Sequence, residues 1–469
     1  MTTNANQEST ADPRFRGNDS SRGDDSSRGN DSARGDDRFR FNRRALKGGF
    51  RYWLYDLLYA WSVVLANLLA PFNRKLREAL RGKRRGMTGW EIGKADGKQL
   101  VFIHVASYGE FEGVIPLIET LNTRGLRVAV SYSSPSAEKK VASTPGLWAR
   151  GFMPYDFFHH QLRLLGKLMP SAVLIAKHDF WPNTIRATRA LGIPVILINA
   201  NFHSGSRRNL PVVRWFHRAF MKSITAVWTV SEADAGRVEP LLGISTRLAT
   251  VGDTRYDRVR QRAELGRVRF RELKEALQPG PVIVAGSTWQ PCEKICYAAF
   301  MRIHANQPQA KLVIASHEPT KEALARNRAL AEHYKLSMHL FSDWKGEQIE
   351  AQVLLVDKIG MLADLYTVGW AAYVGGGFGR GVHSVIEPAA HGLPVAFGPN
   401  HKVSHEASLL IESGGGFVVK STDDLGSLWQ NWLESPDTYR KAAGAADGVV
   451  RAREGATMKI MELLAPFIG

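Results

Sequence analysis

Short apolar runs without polar alternation recur along most of the chain, and helical stretches separate them. The first series reads QLVFIHV, LRVAVSYS, SAVLIAKH, IPVILINAN and ITAVWTVS; the second reads PVIVAGS, AKLVIASH, QVLLVDK, AAYVGGG, LPVAFGP and GGFVVK. Strands that are apolar on both faces are typical of parallel sheets covered by helices on both sides. The pattern therefore predicts an α/β protein with two tandem doubly wound domains.

The residues outside these runs predict the domain boundaries. The first domain covers residues 99–257 and the second covers residues 280–421. Residues 258–279 are charged and helical in pattern and predict a connector, and residues 422–469 predict C-terminal helices. Residues 1–46 repeat an Arg-Gly-Asn/Asp-Asp-Ser unit with almost no apolar side chains, which indicates a disordered tail. Two such domains predict a cleft that faces the carboxyl ends of their strands.

Residues 47–98 combine the most apolar run of the chain with flanking cations and predict a membrane-anchoring helix followed by a basic linker. The run YWLYDLLYAWSVVLANLLAPF, residues 52–72, is long enough to span a bilayer, but Asp56 and Asn67 interrupt it. Basic residues lie on both sides, so a helix lying in an anionic interface fits at least as well as a spanning helix. A buried helix of a soluble protein is the third interpretation.

The charge of the chain favours anionic partners. It carries 62 Lys and Arg against 45 Asp and Glu, a net charge of +17. A phosphorylated substrate, an anionic lipid or a nucleic acid would fit, so a non-catalytic membrane or nucleic-acid binder is an alternative to an enzyme. Asp residues interleaved in the tail argue against a nucleic-acid partner. Cys292 and Cys296 form a poor zinc signal and no disulfide framework, which indicates a reduced cytoplasmic chain.

Polar residues follow the predicted strands of the first domain. Glu110, in SYGEFEG, begins a helix, where it either stabilises the helix start or acts as a general base. Asp179 follows Lys177 and His178 in AKHDFWPN, and a solvated loop is the alternative to a site. Arg255, in GDTRYD, is either a phosphate-binding cation or a surface residue.

The second domain contains an unusual glycine-rich segment, GGGFGRGVHSVIEPAAHGLPVAFGPN, at residues 375–400. A strand, a glycine loop and a helix predicted from about His383 bring backbone N–H groups to one point, where an anion could bind. A P-loop would require Gly-Lys-Ser/Thr, and no G-x-G-x-x-G follows the first strand, which argues against a dehydrogenase. Glu387 is placed to reach a ribose, and Gly360 in DKIGMLADLY allows a tight turn that could contact a base or ribose.

Together these segments resemble the 3-deoxy-D-manno-octulosonic acid (Kdo) transferases of Gram-negative bacteria. The motifs are SYGEFEGVIPLIETL, MPYDFF, DFWPNTIRATRALGIPVILINAN, VSEADAGRV, VGDTRYD, AGSTW, IGMLADLY and VGGGFGRGVHSVIEPAAHGLPVAFGPN. The resemblance runs from about residue 52 to 467. It implies a GT-B glycosyltransferase that transfers Kdo from CMP-Kdo to a lipid A precursor with inversion, without a metal or cofactor, at the cytoplasmic face of the inner membrane. Another GT-B lipid glycosyltransferase with a different nucleotide sugar is the alternative.

The resemblance also implies roles for individual residues. Glu110 matches the catalytic base, Asp179 replaces a Glu, and Arg255 replaces a Lys. The implied substrate-binding residues are Ala315 and Ser316 in place of a Pro-Arg pair, His317 as a compensating cation, Ile359, Gly360 and Met361 as the CMP-binding turn, and Ser384, Val385, Ile386 and Glu387 as the ribose contact. The segment NFHSGSRRN, with Arg207 and Arg208, departs from the family pattern and leaves the acceptor open.

Overall fold

The structure is a computed structural model that describes residues 49–94, 96–177, 179–202 and 211–469, apart from the side chains of residues 211–214. The described residues belong to one compact unit, Arg40–Gly469. The tail predicted at residues 1–46 lies outside them. Two parallel-rich sheets form the framework and confirm the predicted pair of α/β domains.

The first domain is built on a sheet that has eight strands within the described residues. They are β1 (Glu91–Ile92), β2 (Leu100–Val105), β3 (Arg127–Tyr132), β4 (Ala149–Phe152), β5 (Ala172–Ala176), β6 (Val195–Ala200), β7 (Ala226–Thr229) and β8 (Arg247–Thr250). Their order is β1-β4-β3-β2-β5-β6-β7-β8. Neighbouring strands are parallel except for β1 and β4. The carboxyl ends of β2 to β8 therefore lie along one edge of the sheet.

The second domain is built on a sheet whose described residues form seven parallel strands. They are β9 (Val282–Thr288), β10 (Lys311–Ser316), β11 (Met338–Leu340), β12 (Val353–Val356), β13 (Ala371–Val374), β14 (Val395–Phe397) and β15 (Gly416–Val418). Their order is β11-β12-β10-β9-β13-β14-β15. Every pairing is parallel, as expected for strands joined by helical crossovers.

Helices connect and flank the strands. In chain order they are α1 (Phe50–Leu69), α2 (Arg74–Arg85), α3 (Tyr108–Thr123), α4 (Pro135–Ser143), α5 (Phe158–Leu168), α6 (Pro182–Ala190), α7 (Pro211–Met221), α8 (Glu232–Val238), α9 (Thr254–Arg269), α10 (Arg271–Ala276), α11 (Gln290–Asn306), α12 (Lys321–His333), α13 (Leu362–Leu365), α14 (Ile386–Ala390), α15 (His405–Ser413), α16 (Thr422–Glu434), α17 (Pro436–Arg451) and α18 (Ala456–Ile468). Alternate residues of β9 pack on different layers: Ile283 lies in a core with α11 and α16, and Val284 in a core with α10. Both faces of this sheet are therefore covered.

Two element boundaries differ from the sequence prediction. The helix predicted from about His383 begins only at Ile386, because the preceding residues are held in the glycine loop by hydrogen bonds. The N–H of His383 donates to Gly375 O (3.1 Å), and that of Val382 donates to Asn400 O (3.0 Å). The connector helix α9 begins four residues before the predicted connector, at Thr254, immediately after the β8 strand and its following turn.

The last helix, α18, leaves the second domain and packs against the first. Its residues Ile460, Met461 and Leu464 lie in one apolar core with residues of β2, β3 and α3. The guanidinium of Arg247 in β8 lies 5.1 Å from the centre of the Phe467 ring. The predicted set of C-terminal helices therefore includes one that completes the core of the first domain.

The apolar helix α1 is attached to the first domain along one side. The hydroxyl of Tyr55 donates to Asp156 Oδ2 (2.9 Å), and the N–H of Asp156 donates to the hydroxyl of Tyr59 (3.0 Å). The amide of Asn183 donates to Asp56 Oδ1 (2.6 Å). Asp156 is buried, and it also accepts hydrogen bonds from the backbone N–H groups of Asn183 and Thr184 at the start of α6. Burial raises the pKa of this carboxyl.

The packing of α18 predicts a large effect of truncating Leu464. Leu464 is 0% exposed, whereas its neighbour Leu463 is 38% exposed. Leu464→Ala leaves a cavity in the shared core, so we expect the free energy of unfolding to fall by about 2–5 kcal/mol. Leu463→Ala is the matched control, with an expected loss of less than about 1 kcal/mol. Urea unfolding of both variants measures the difference; equal losses would contradict the packing of α18 described here.

Candidate active site

A cavity of about 460 Å³ lies between the two domains at the carboxyl ends of their strands. Its lining includes the start of α3 from the first domain, the connector helix α9, and the loops that follow β9, β10 and β12 in the second domain. The predicted site residues that line it are Arg255, Ala315, Ser316, His317, Ile359, Gly360, Ser384, Ile386 and Glu387. Two predicted residues, Met361 and Val385, are buried behind this surface. The three segments assigned to CMP therefore meet in one cavity.

The segment predicted to contact a ribose places the carboxyl group of Glu387 in this cavity. Burial raises the pKa of Glu387 to about 6, while Arg262 and a hydrogen bond from Ser384 act in the opposite direction. A carboxyl group at this position can accept hydrogen bonds from a pair of vicinal hydroxyls. Glu387 lies in the first turn of α14.

The segment around Ser316 contains a charge pair that the sequence analysis did not identify. The hydroxyl of Ser316 donates to Glu293 Oε1 (2.8 Å), and the guanidinium of Arg326 pairs with both oxygens of the same carboxylate (2.5 and 3.1 Å). Glu293 is fully buried. Ser316 therefore belongs to a structural network. No local sequence signal could have found Arg326, because it lies on α12, ten residues beyond Ser316.

His317 lies in an aromatic stack. Its ring centre is 4.9 Å from that of Trp289 and 4.2 Å from that of His383, with nearly parallel planes in the second pair. The indole N–H of Trp289 donates to His383 Nε2 (3.1 Å). The role predicted for His317, a cation that compensates for a missing arginine, stays a prediction.

Three arginines of α9 face the cavity, of which the sequence analysis identified only Arg255. Arg258 and Arg262 follow it at spacings of three and four residues, which puts all three on one side of the helix. This helical spacing is a sequence signal that could have revealed the pair. Each arginine is matched by carboxylates: Arg255 by Asp253 and Glu406 (both 2.8 Å), Arg258 by Glu112 (3.0 Å), and Arg262 by Asp364 (2.7 Å).

Glu110 and Asp179 lie near the ends of the adjacent strands β2 and β5, outside the lining of the cavity. Glu110 Oε2 accepts a hydrogen bond from the N–H of Ala106 (2.6 Å), which fits the predicted role of stabilising the helix start. Burial raises the pKa of Glu110, and the charges of Lys177 and Asp179 also act on it. His178, between them, lies outside the described residues.

Asp179 is held in a polar network at the same strand ends. His104 Nε2 lies 2.9 Å from Asp179 Oδ2, and the hydroxyl of Ser133 donates to the same oxygen (2.8 Å). Although burial opposes ionisation, these hydrogen bonds and the charge of His104 hold the pKa of Asp179 below its usual range. The network therefore favours the ionised form of Asp179 and connects it to His104 and Ser133.

Among residues 49–94, 96–177, 179–202 and 211–469, no group of three or more His, Cys, Asp or Glu is arranged to hold a metal ion. Cys292 and Cys296 are both buried and free. The charged side chains that line the cavity are those of Arg255, Arg258, Arg262, Lys358, Glu112 and Glu387.

Comparisons with known proteins point to one family of transferases. Residues 80–258 match the family model described as 3-deoxy-D-manno-octulosonic-acid transferase. The 3-deoxy-D-manno-octulosonic acid transferase of Aquifex aeolicus is 28% identical over 333 residues, which cover 70% of this chain and 84% of the relative. That of Bordetella pertussis is 26% identical over 384 residues, which cover 79% and 87% of the two chains.

Solved structures of low sequence identity share the fold. UDP-GlcNAc 2-epimerase from Neisseria meningitidis has a TM-score of 0.57 at 16% identity and covers 79% of this chain and 100% of its own. A glycosyltransferase from Rickettsia africae has a TM-score of 0.52 at 12% identity, with coverages of 80% and 99%. These structures confirm the predicted GT-B architecture. The family model and the curated relatives show that the chain is similar to the Kdo transferases, a family of glycosyltransferases.

Proposed function

We propose that the chain transfers Kdo from CMP-Kdo to a lipid A precursor of the lipid IVA type, in lipopolysaccharide core biosynthesis. The observation that carries the proposal is the interdomain cavity, where the three segments assigned to CMP meet the arginine face of α9. We propose that Glu387 contacts the ribose and that the turn at Gly360 contacts the base; both residues line this cavity. Arg255 lines the same cavity and offers a positive charge to the phosphate of CMP as it leaves.

Glu110 is the proposed general base. Its carboxylate takes the proton of the acceptor hydroxyl while that oxygen attacks the anomeric carbon of Kdo, and the bond to the CMP phosphate breaks on the opposite face. A single displacement of this kind inverts the anomeric configuration. The raised pKa of Glu110 makes it a better proton acceptor than an exposed carboxylate. Asp179, whose pKa is lowered, is the poorer candidate and is proposed to orient its neighbours.

The exposed side of α1 supports attachment to a lipid surface. Within the described residues, Phe50–Phe72 is the one stretch long and apolar enough to cross a bilayer, with a mean hydropathy of 1.4. The side of this stretch away from the domain exposes Trp53, Leu57, Trp61, Leu65, Leu68 and Phe72. Next to it, α2 exposes a row of cations that includes Arg77 and Arg81. Apolar side chains beside cations suit the interface of an anionic membrane.

The polar contacts of α1 favour a helix that lies in the interface. Tyr55, Asp56 and Tyr59 bind the first domain from the first three turns of the helix. If α1 spanned the bilayer, these contacts would draw part of that domain into hydrocarbon, where its backbone polar groups would lose their partners in water. We therefore propose that α1 lies along the cytoplasmic face of the inner membrane.

A transfer assay tests the proposed function directly. Full-length protein is given a defined tetra-acylated disaccharide phosphate and either CMP-Kdo or a set of UDP-sugars, and the products are analysed by mass. We expect the mass of Kdo to be added only with CMP-Kdo, with no requirement for Mg²⁺. Transfer from a UDP-sugar alone would instead support another GT-B lipid glycosyltransferase.

Replacing the proposed base should lower the rate of transfer without weakening nucleotide binding. Glu110→Gln keeps the shape of the side chain and an oxygen that can accept from Ala106, but it removes basicity, so we expect transfer to fall about 10²–10⁴-fold. Calorimetry should show unchanged CMP binding. Glu119→Gln, on the same helix and away from the cavity, is the control. If the Glu110→Gln variant transfers Kdo at the wild-type rate, the base is another residue.

The lipid-facing side of α1 can be tested with two leucines of equal exposure. Leu65 on α1 is 56% exposed and Leu265 on α9 is 57% exposed. Leu65→Ser should weaken binding to anionic vesicles about tenfold, because an apolar side chain no longer enters the interface. Leu265→Ser should leave binding unchanged. Vesicle flotation at low and high salt measures both effects, and high salt should weaken binding because it screens the cations of α2. Equal effects of the two variants would contradict this orientation.

A further inference from the structure

A second cavity, of about 450 Å³, adjoins the interdomain cavity in the second domain. His317 lines both, so the two cavities are neighbours at this residue. The second cavity is bounded by the glycine loop after β13 and by the start of α11. Its other side chains are Trp289, Pro291, Cys292, Phe378, Arg380 and His383. A group that continued from the phosphate of a nucleotide in the first cavity would therefore have space here.

The second cavity offers positive charge without a competing carboxylate. Of the described residues that line it, none is Asp or Glu. Arg380 forms no ion pair within the described part of the chain, unlike Arg255, Arg258 and Arg262, which are all matched by carboxylates. A free guanidinium can bind a carboxylate through two parallel hydrogen bonds. Among the arginines that line the two cavities, Arg380 is therefore the one whose charge is not matched by a carboxylate of the described residues.

The glycine loop fixes the backbone on both sides of Arg380. Gly376 and Gly381 both have positive φ (92° and 138°), and a Cβ at Gly376 would lie 2.2 Å from Gly381 O. Asn400 closes the loop from the other side, because its N–H donates to Gly377 O (2.8 Å) and its side-chain amide donates to Gly379 O (2.9 Å). Arg380 thus projects from a loop that is held by its own backbone contacts.

His383 adds a neutral hydrogen-bond donor to the lining. The indole N–H of Trp289 is a donor only, so His383 Nε2 must be the acceptor and the ring proton of the neutral imidazole lies on Nδ1. Burial and the neighbouring His317 lower the pKa of His383, which favours this neutral form. The rings of Trp289 and Phe378 supply the apolar surface that small-ligand sites usually combine with a few polar groups.

We propose that this second cavity receives the carboxylate-bearing sugar of the nucleotide-sugar donor, with Arg380 pairing with the sugar carboxylate and His383 as a neutral donor beside it. The proposal rests on the proposed function and adds to it a basis for donor choice. A neutral hexose would leave Arg380 without its partner. Arg380 therefore favours donors whose sugar carries a carboxylate over donors whose sugar is uncharged.

Arg380→Gln tests the proposal, because it removes the charge from an exposed side chain. The KM for CMP-Kdo should rise about tenfold to hundredfold, the loss expected when a hydrogen-bonded charge pair is removed. Inhibition by CMP alone should not change, since CMP has no sugar carboxylate. Arg440→Gln, an exposed arginine on α17, is the control and should change neither quantity. Arg380→Lys should recover part of the loss, because it keeps the charge without the paired hydrogen bonds.

The outcomes separate this proposal from the proposed function. If Arg380→Gln leaves the KM for CMP-Kdo unchanged, or weakens the binding of CMP-Kdo and of CMP equally, the proposed sugar site is wrong. Transfer of Kdo by the wild-type protein would still support the proposed function. If the wild-type protein transfers no Kdo at all, the proposed function fails. Calorimetric binding of free Kdo then decides the role of Arg380: binding that Arg380→Gln abolishes supports the site, and binding that is absent or unchanged overturns it.

Discussion

Two arginine–carboxylate pairs, one turn apart on α9, join the domains on either side of the cleft. Arg258 binds Glu112 of the first domain, and Arg262 binds Asp364 of the second. Single exposed ion pairs contribute little to stability, but these side chains are mostly shielded, and each pair attaches the same rigid helix to a different domain. Gly266 allows α9 to approach closely, since a Cβ there would lie 2.6 Å from Asp364 O. Apolar packing supplies most of the free energy that holds the two domains together, while the two ion pairs set the position of each domain relative to α9.

The polar residues within the apolar helix have a structural explanation. Asp56 and Asn67 make a bilayer span less favourable, yet each has a partner in the protein. Asp56 accepts from the amide of Asn183, and Asn67 Oδ1 accepts from the guanidinium of Arg84 on α2 (2.7 Å). Asp156, buried beneath the helix, connects it to the start of α6. One side of α1 thus forms hydrogen bonds with the rest of the protein, whereas the opposite side forms none and is apolar.

The central strands could be predicted from sequence because residues buried on both faces leave a continuous apolar signal. The strands β1, β4 and β11 could not, since EI, ARGF and MHL are short and contain polar residues. Glu110, the glycine loop and Glu387 were identified from motifs that are local in sequence. The partners of the cleft arginines, the Glu293–Arg326 pair and the return of α18 depend on contacts between distant residues. No local sequence pattern predicts these contacts.

The crossing of α18 has a consequence for synthesis. The chain is made from its amino end, so α1 and the strands of the first domain leave the ribosome well before residue 464. Until then the surface that later covers Ile460, Met461 and Leu464 stays open to water. The domain that is made first is therefore completed last. A nascent chain would therefore wait for its own carboxyl end before its first domain was fully folded.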